Sequence, residues 1–195
     1  MPMTESERIA RLTAVLHGTG ATVNDAFGIW ALHSDLSDKH IAELAGWADL
    51  QYLVADSTRI TDASIPVILG FTRLTDLSIG GNIIASSTLS TCTLPSEISN
   101  LGLGGIPLTD EDVSTISRCS EITALNVNYC QLSSIALEEL ARLPKLRSIE
   151  ALGADSTLEM TKHLSERHPD VLFRLREGVW QHGKRLRPPF PSEMA

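Results

Sequence analysis

The sequence predicts an α/β fold in which one strand and one short helix alternate along the chain, and two observations indicate it. Apolar residues recur every 24 residues through six consecutive rows that begin at Ala26, with no insertion or deletion. Within each row, the first half alternates apolar and variable residues, which is typical of a strand with one buried face. In the second half, the apolar residues lie three positions apart, which places them on one side of a short helix. Each row therefore predicts one strand, turn, helix, turn unit of a solenoid.

The apolar columns mark the side chains that we expect in the core. The fourth place of each row is aliphatic throughout: Ile29, Leu53, Leu77, Leu101, Leu125 and Ile149. The eleventh place is interrupted only at Ser156 and otherwise holds Leu36, Ile60, Ile84, Leu108 and Leu132. The second half of the rows opens with Asp or Ser, and we predict that these side chains cap the helices: Asp38, Asp62, Ser86, Asp110 and Ser134.

Both ends of the chain differ from the repeat. Thr4-Glu5-Ser6-Glu7 is a capping box, which predicts a capping helix and linker over residues 1–25. The repeats cover residues 26–175, because Val171, Phe173 and Leu175 fall in register as a seventh strand. Residues 176–195 form a basic, proline-rich tail, which either covers the last coil with Trp180, Leu186 and Phe190 or recruits a partner as a mobile peptide.

The row pattern L-x-x-L-x-L-x-x-[N/C/T]-x-L resembles that of the leucine-rich-repeat family over residues 26 to about 175. The helix half looks more like the cysteine-containing and ribonuclease-inhibitor-like types than the extracellular plant type. The resemblance implies a leucine-rich-repeat solenoid with a parallel concave sheet of about seven strands and short convex helices. It also implies a buried polar ladder in the ninth place, interrupted at Ile106 and Ala154 and formed by Ser34, Thr58, Asn82 and Cys130.

The same resemblance implies that the variable places between the buried residues face outward on the concave side. The candidate partner-binding residues are Trp30, Leu32, Tyr52, Val54, Asp56, Asp76, Asn126, Asn128, Tyr129, Glu150 and Arg174. Seven strands span about 29 Å, enough for a helix or one face of a small domain. We expect Trp30, Tyr52 and Val54 to be anchors, unless the N-terminal helix covers them as a structural cap.

Composition and motifs argue against other classes of function. A net charge of −8 disfavours nucleic acid and favours a basic partner, if any. No apolar run is long enough for a membrane span, and the histidines show no metal-ligand spacing. The glycines around Gly80 and Gly104 lack the lysine of a phosphate loop, so we expect no cofactor and no metal. The three cysteines are predicted to be reduced, buried and inert, in a cytoplasmic protein.

The sequence therefore predicts a non-catalytic, monomeric protein that binds a protein partner. Within that class we favour a stand-alone inhibitor or immunity-type protein, because the chain is short and acidic and offers no second domain. The alternatives are an adaptor or recruitment subunit, a self-associating structural protein and an enzyme. An enzyme would require titratable groups that converge in a pocket, and the repeat pattern does not provide them.

Overall fold

One sheet of ten strands, arranged in chain order, runs through the computed structural model, which describes residues 3–189. Its strands are β1 Thr22–Asp25, β2 Gly28–Trp30, β3 Tyr52–Val54, β4 Asp76–Ser78, β5 Asn100–Gly102, β6 Ala124–Asn126, β7 Ser148–Glu150, β8 Leu172–Leu175, β9 Gly178–Gln181 and β10 Lys184–Arg187. The helices are α1 Glu5–Val15, α2 Asp38–Glu43, α3 Ile65–Leu69, α4 Asp110–Ile116, α5 Ser134–Ala141 and α6 Leu158–Arg167. Short 3-10 helices lie at Asp62–Ser64 and Leu89–Thr91.

The seven central strands, β2 to β8, are parallel, as the sequence predicts. Ile29 pairs with Leu53, and each later pair in this part of the sheet also joins residues 24 positions apart. The fourth-place side chains therefore stack in one column, and each of them is at most 2% exposed. The constant register agrees with the unbroken spacing of 24 residues, since a shift of one residue within a strand would turn its buried side chains outward.

The core fills the space between the sheet and the helices. Helix residues spaced three apart point into it, and Ile41, Leu44, Ile65, Leu137 and Leu140 are all at most 1% exposed. Fully burying each such aliphatic side chain contributes about 1.5–3 kcal/mol to folding. Each coil by itself has few apolar neighbours, so the stability of one coil depends on the coils stacked against it.

The caps of the helices lie one residue earlier than the sequence analysis predicts. Thr109 caps α4 and Ser133 caps α5, because their hydroxyls accept backbone amides of the first helical turn. Asp38, predicted as a cap, is instead the first residue of α2 and reaches the next coil. Its carboxylate accepts the Thr61 amide at 2.8 Å and the hydroxyls of Thr61 and Ser64. Asp62 likewise accepts the Ala85 amide and the Thr88 hydroxyl of the coil after it, so these two aspartates join neighbouring coils. Analysis of one row at a time does not detect such bonds.

The third repeat departs from the predicted strand-and-helix unit. Where the sequence analysis expects a helix after Ser86, the structure contains only the 3-10 helix at Leu89–Thr91. Its sequence, rich in Ser and Thr and followed by Pro95, has low helix propensity. Asp112 of the next coil, only 1% exposed, accepts the amides of Ser87 and Ser90 at 3.0 and 2.8 Å. That carboxylate therefore satisfies two backbone amides of a segment that forms no regular helix.

A polar ladder crosses the core in the ninth place of the repeat. The Asn82 amide donates to the carbonyls of Ala55 and Ile79 at 2.7 and 2.8 Å, and its oxygen accepts the Thr58 amide at 2.9 Å. Two coils later, the Cys130 thiol donates to the Leu103 carbonyl at 3.1 Å. These are the positions that the resemblance implies, with the aliphatic residues Ile106 and Ala154 in the gaps.

The cysteines differ in burial. Cys119 and Cys130 are buried, as the sequence analysis expects, and burial raises the pKa of both thiols, that of Cys130 to about 11. Cys92, which was expected to be buried, is only half-buried. The reason is local: Cys92 follows the short 3-10 helix rather than a full helical turn, so its side chain packs against the core but is only partly covered.

Both ends of the repeat carry additional strands that the sequence analysis does not contain. The capping box of Thr4 and Glu7 begins α1, and β1 follows as an antiparallel partner of β2. Within the predicted tail, β9 and β10 form an antiparallel hairpin that pairs with β8. Of the tail side chains expected to cover the last coil, Trp180 is buried, Leu186 is 59% exposed, and Phe190 lies outside the described residues.

Candidate protein-binding surface

Outward-pointing side chains of the strands form one continuous surface, here called the open face. Two columns of side chains run across the parallel strands on this face. Each column consists of residues that are paired with one another from strand to strand. One column contains Gly28, Tyr52, Asp76, Asn100, Ala124, Ser148 and Leu172. The other contains Trp30, Val54, Ser78, Gly102, Asn126, Glu150 and Arg174. Seven predicted site residues, from Trp30 to Arg174, therefore lie on one face.

Four predicted residues lie beside these columns rather than in them. Leu32, Asp56 and Asn128 follow the strands, and Leu32 is 58% exposed. Tyr129 is 60% exposed and belongs to the turn after β6, with a backbone φ of 59°. Its ring lies over Gly153 of the next coil, so Tyr129 stands at the edge of the open face. Leu152, in the same place as Asn128, is buried although its place in the repeat is an outward one.

An aromatic pair occupies the N-terminal end of the open face. The rings of Trp30 and Tyr52 stack with centroids 6.1 Å apart and planes inclined by 20°. Gly28 makes room for this arrangement, because a Cβ there would lie 2.3 Å from the Trp30 ring. Both aromatic side chains are half-buried, so part of each remains accessible.

The N-terminal helix packs against the end of the first coil. Arg8 of α1 forms an ion pair with Asp49 at 2.7 Å and lies over the Phe27 ring. Arg11 lies over the ring of Trp47, which belongs to the core. These contacts direct α1 to the core side of the coil, whereas the stacked aromatic pair is on the open face.

A depression of about 300 Å³ lies at the centre of the open face. Its rim includes four predicted site residues, Val54, Asp76, Asn126 and Glu150. The floor is low because small residues line it, namely Ser78, Gly102, Ala124 and Ser148. Gly102 is required by contact with the neighbouring strand, since a Cβ there would lie 2.2 Å from the Ser78 hydroxyl oxygen and 3.0 Å from the Ser78 Cβ.

Polar side chains around the depression are hydrogen-bonded to the next coil. Asp56 accepts the Ser78 hydroxyl at 2.7 Å and the Gly80 amide at 2.8 Å. Asn100 donates to Asp76 at 2.6 Å. These bonds join residues 22 to 24 positions apart, and they fix the carboxylates of the face before any partner arrives.

The opposite side of the depression has a similar network. Asn128 donates to Glu150 at 3.2 Å and accepts the Leu152 amide at 2.7 Å. Glu150 also pairs with Arg174 at 3.5 Å. Hydrogen bonds and ion pairs of this kind hold carboxylates, amides and one guanidinium in fixed positions. Groups held in this way are suited to recognising polar groups of another molecule.

A second depression, also of about 300 Å³, adjoins the first and shares Ser148 and Glu150 with it. Ile149 of β7, Leu172 and Arg174 of β8, Val179 of β9 and Arg187 of β10 complete its lining. The sequence analysis missed Val179 and Arg187, because these residues lie outside the repeat. The signal that could have revealed them is His182-Gly183, a two-residue hairpin turn in which both residues have positive φ.

The described residues, 3–189, contain no group of three or more His, Cys, Asp or Glu side chains that could hold a metal ion. No helix in that range has the length and apolarity needed to cross a membrane.

No protein-family model and no curated protein matches the sequence. Among solved structures, the chain resembles an internalin, inlF, from Listeria monocytogenes at a TM-score of 0.49 and 14% identity, over 88% of this chain and 51% of that one. It resembles internalin C2 (inlC2) from the same organism at a TM-score of 0.49 and 17% identity, over 85% of this chain and 92% of that one. The chain thus spans about half the length of the first of these proteins.

Proposed function

We propose that the protein binds a protein partner on its open face and acts as a non-catalytic, stand-alone inhibitor of the immunity type. The observation that carries the proposal is the stacked Trp30–Tyr52 pair beside a depression of about 300 Å³ lined by small side chains. Trp and Tyr dominate the energetics of protein interfaces, especially where a pocket adjoins them. A partner can insert one bulky side chain into the depression while it packs against the two rings.

The dimensions of the face suit a standard interface. The seven parallel strands span about 29 Å at the usual spacing between strands. A helix or one face of a small domain fits that length and would bury about 800 Å² on each partner. The candidate contact residues outside the strands, Leu32, Asn128 and Tyr129, widen the same surface.

Rigidity of the face supports an inhibitor rather than an adaptable binder. Asp56, Asp76 and Glu150 are already held by hydrogen bonds or ion pairs from neighbouring coils. Side chains fixed before association lose little conformational entropy when the partner binds, which favours tight, stoichiometric complexes. We also assign the repeat to the cysteine-containing or ribonuclease-inhibitor-like type, in line with the ladder bond from Cys130.

Charge and thiol chemistry support the remaining parts of the proposal. Two carboxylates on the rim of the central depression, Asp76 and Glu150, and Asp56, which is bonded to Ser78 of its lining, favour basic or amide groups on the partner and disfavour the phosphates of nucleic acid. All three cysteines are free thiols, which is in keeping with a reducing, cytoplasmic compartment. We propose that the protein is a monomer when it meets its partner.

The test is capture of the partner from native lysate with wild type and with the Trp30→Ala/Tyr52→Ala variant, followed by mass spectrometry. We expect one stoichiometric partner on the wild type, with affinity weakened by about 2 kcal/mol or more in the variant, since both anchors are removed. A second variant, Ala124→Trp, fills the central depression and should also abolish capture. The matched control is Ile135→Ala, which removes a 79% exposed apolar side chain from α5, away from the open face.

Equal capture by wild type and both open-face variants would contradict the proposal, provided that circular dichroism shows all variants folded. The activity of the captured partner separates the two roles within the class. Loss of that activity on binding identifies an inhibitor, whereas retained activity together with a third component identifies an adaptor. Light scattering of the purified protein detects self-association, which would point to a structural role instead.

A further inference from the structure

Aromatic rings elsewhere in the described chain have an arginine of the same chain above them. The pairs, with the guanidinium carbon 5.2 to 5.9 Å from the ring centroid, are Arg8 over Phe27, Arg11 over Trp47 and Arg185 over Trp180. The stacked pair of Trp30 and Tyr52 on the open face has no such cation among residues 3–189. Both rings are half-buried, so part of each can still receive a cation from another molecule.

Asp76, beside this pair, also has no basic partner. Its carboxylate accepts the Asn100 amide at 2.6 Å and the Thr75 hydroxyl at 2.7 Å, and both donors are neutral. No Lys, Arg or His side chain in the described part of the chain forms an ion pair with it, whereas Asp35 pairs with Arg59 at 2.8 Å. A carboxylate has about four acceptor positions, so Asp76 can accept further hydrogen bonds.

The strand register places the aromatic pair and Asp76 side by side. Tyr52 is paired with Gly28 on one side and with Asp76 on the other, and the Trp30 ring lies over Gly28. Neighbouring strands are about 4.8 Å apart. One side chain of a partner, lying above β3 and β4, can therefore contact the Tyr52 ring and the Asp76 carboxylate together.

No cation of the open face is close enough to offset this carboxylate. In the two columns of the face, the one basic residue is Arg174 of β8, which is four strands, or about 19 Å, from Asp76. Arg174 pairs with Glu150 on the far side of the depression. Asp56, which accepts the Ser78 hydroxyl and a backbone amide, adds a second carboxylate whose donors are neutral.

We propose, as an extension that rests on the proposed function, that the open face binds an arginine side chain of the protein partner. The guanidinium lies against the Tyr52 ring and donates to the Asp76 carboxylate. Its planar fork suits both contacts, because it matches a carboxylate in shape and stacks on an aromatic ring, which the compact ammonium of lysine does not. The methylene stem lies in the central depression, against the half-buried apolar side chains of Val54 and Ala124.

The test titrates the full ¹⁵N-labelled chain with acetyl-Gly-Arg-Gly-amide at low salt, where charge attraction is least screened. We expect saturable shifts of the Tyr52 and Asp76 amides and of the Trp30 indole N–H. The citrulline analogue, which has the shape of arginine without its charge, should produce no saturable shift. The lysine analogue should bind about twofold or more weakly, since it loses the stacked contact.

Variants of the same chain separate the two contacts. Asp76→Asn should weaken binding of the arginine peptide about fivefold or more, because it removes the charge and keeps an acceptor for Asn100. Tyr52→Leu should weaken binding about twofold to fivefold, the loss typical of one exposed cation–π contact. The matched control is Asp110→Asn, which makes the same change of net charge at the start of α4, away from the open face, and should leave binding unchanged.

The inference is overturned by the absence of a saturable shift, by equal binding of the citrulline or lysine analogue, or by equal weakening in Asp76→Asn and Asp110→Asn, with circular dichroism showing that both variants are folded. Weakening in the two open-face variants alone supports it. The titration needs no natural partner. Partner capture that depends on Trp30 and Tyr52, together with a failed arginine titration, would therefore remove this inference and leave the proposed function in place.

Discussion

The buried amide of Asn82 offers a direct test of how the coils are held together. Its side chain makes hydrogen bonds to three carbonyls and accepts two from Thr58, although only 8% of the residue is exposed. In Asn82→Ala, the Thr58 amide and the Ile79 carbonyl lose these partners. A buried polar group left without a partner costs about 1–3 kcal/mol, so two such groups predict a loss of about 2–6 kcal/mol.

The assay is urea unfolding followed by circular dichroism, with the slope m compared among variants to check that the unfolded surface is unchanged. Asn100→Ala is the matched control, because Asn100 is exposed on the same sheet and its loss should cost no more than about 0.5 kcal/mol. Asn82→Asp keeps the acceptor for Thr58 but turns a carboxylate oxygen toward the carbonyls, so it should destabilise at least as much as Asn82→Ala at pH 7. A loss below about 1 kcal/mol for Asn82→Ala, or one equal to that of Asn100→Ala, would refute the role of the ladder.

Three further predictions concern backbone strain, packing and thiol chemistry. Ser57 has a φ of 53°, so Ser57→Gly should raise the midpoint of thermal unfolding by a few degrees, about 0.5–1 kcal/mol, as the left-handed strain is removed. Leu125 is 2% exposed, so Leu125→Ala should lower the free energy of unfolding by about 2–5 kcal/mol through a cavity. Of the thiols, Cys92 should react first with a disulfide reagent in the native protein, and buried Cys130 only after unfolding. Because burial raises the pKa of Cys130 from 9.0 to about 11, the thiol stabilises the fold below pH 9, and that contribution should disappear as the pH rises toward 11.

Each of these three predictions has a control variant or a result that would contradict it. A lower midpoint for Ser57→Gly would show that the hydroxyl contributes more than the strain costs. Asn126→Ala alters the outward neighbour of Leu125 and should leave stability nearly unchanged, so equal losses would argue against the assigned directions. In wild type, the free energy of unfolding should fall between pH 9 and 11 as the Cys130 contribution is lost. Cys130→Ala should remove that part of the fall, which urea unfolding across this pH range measures.

The repeat can be predicted from the sequence because the patterns that identify it lie within short segments of the chain. Alternation of apolar residues around Ile29 and Leu53 fixes which side of each strand is buried, and the unbroken spacing of 24 residues fixes the register between strands. Those two facts predict the core column. The parallel sheet, the candidate face with Trp30, Tyr52 and Glu150, and the ladder at Asn82 and Cys130 are implied by the resemblance to leucine-rich repeats.

What the sequence did not determine depends on contacts between distant residues. Asp38 bonds the next coil rather than its own helix, and the link to Thr61 spans 23 positions with no local signature. The hairpin of β9 and β10 lies outside the repeat, and its strands are defined by pairing with β8 rather than by their own alternation. The second depression exists only because that pairing brings Val179 and Arg187 beside Arg174 on one side of the sheet. The periodicity of the sequence therefore determined the repeated architecture of this protein. Strand pairing and hydrogen bonds between coils decided which charged groups and depressions lie on its surface, because these contacts join distant residues and form only when the chain is folded.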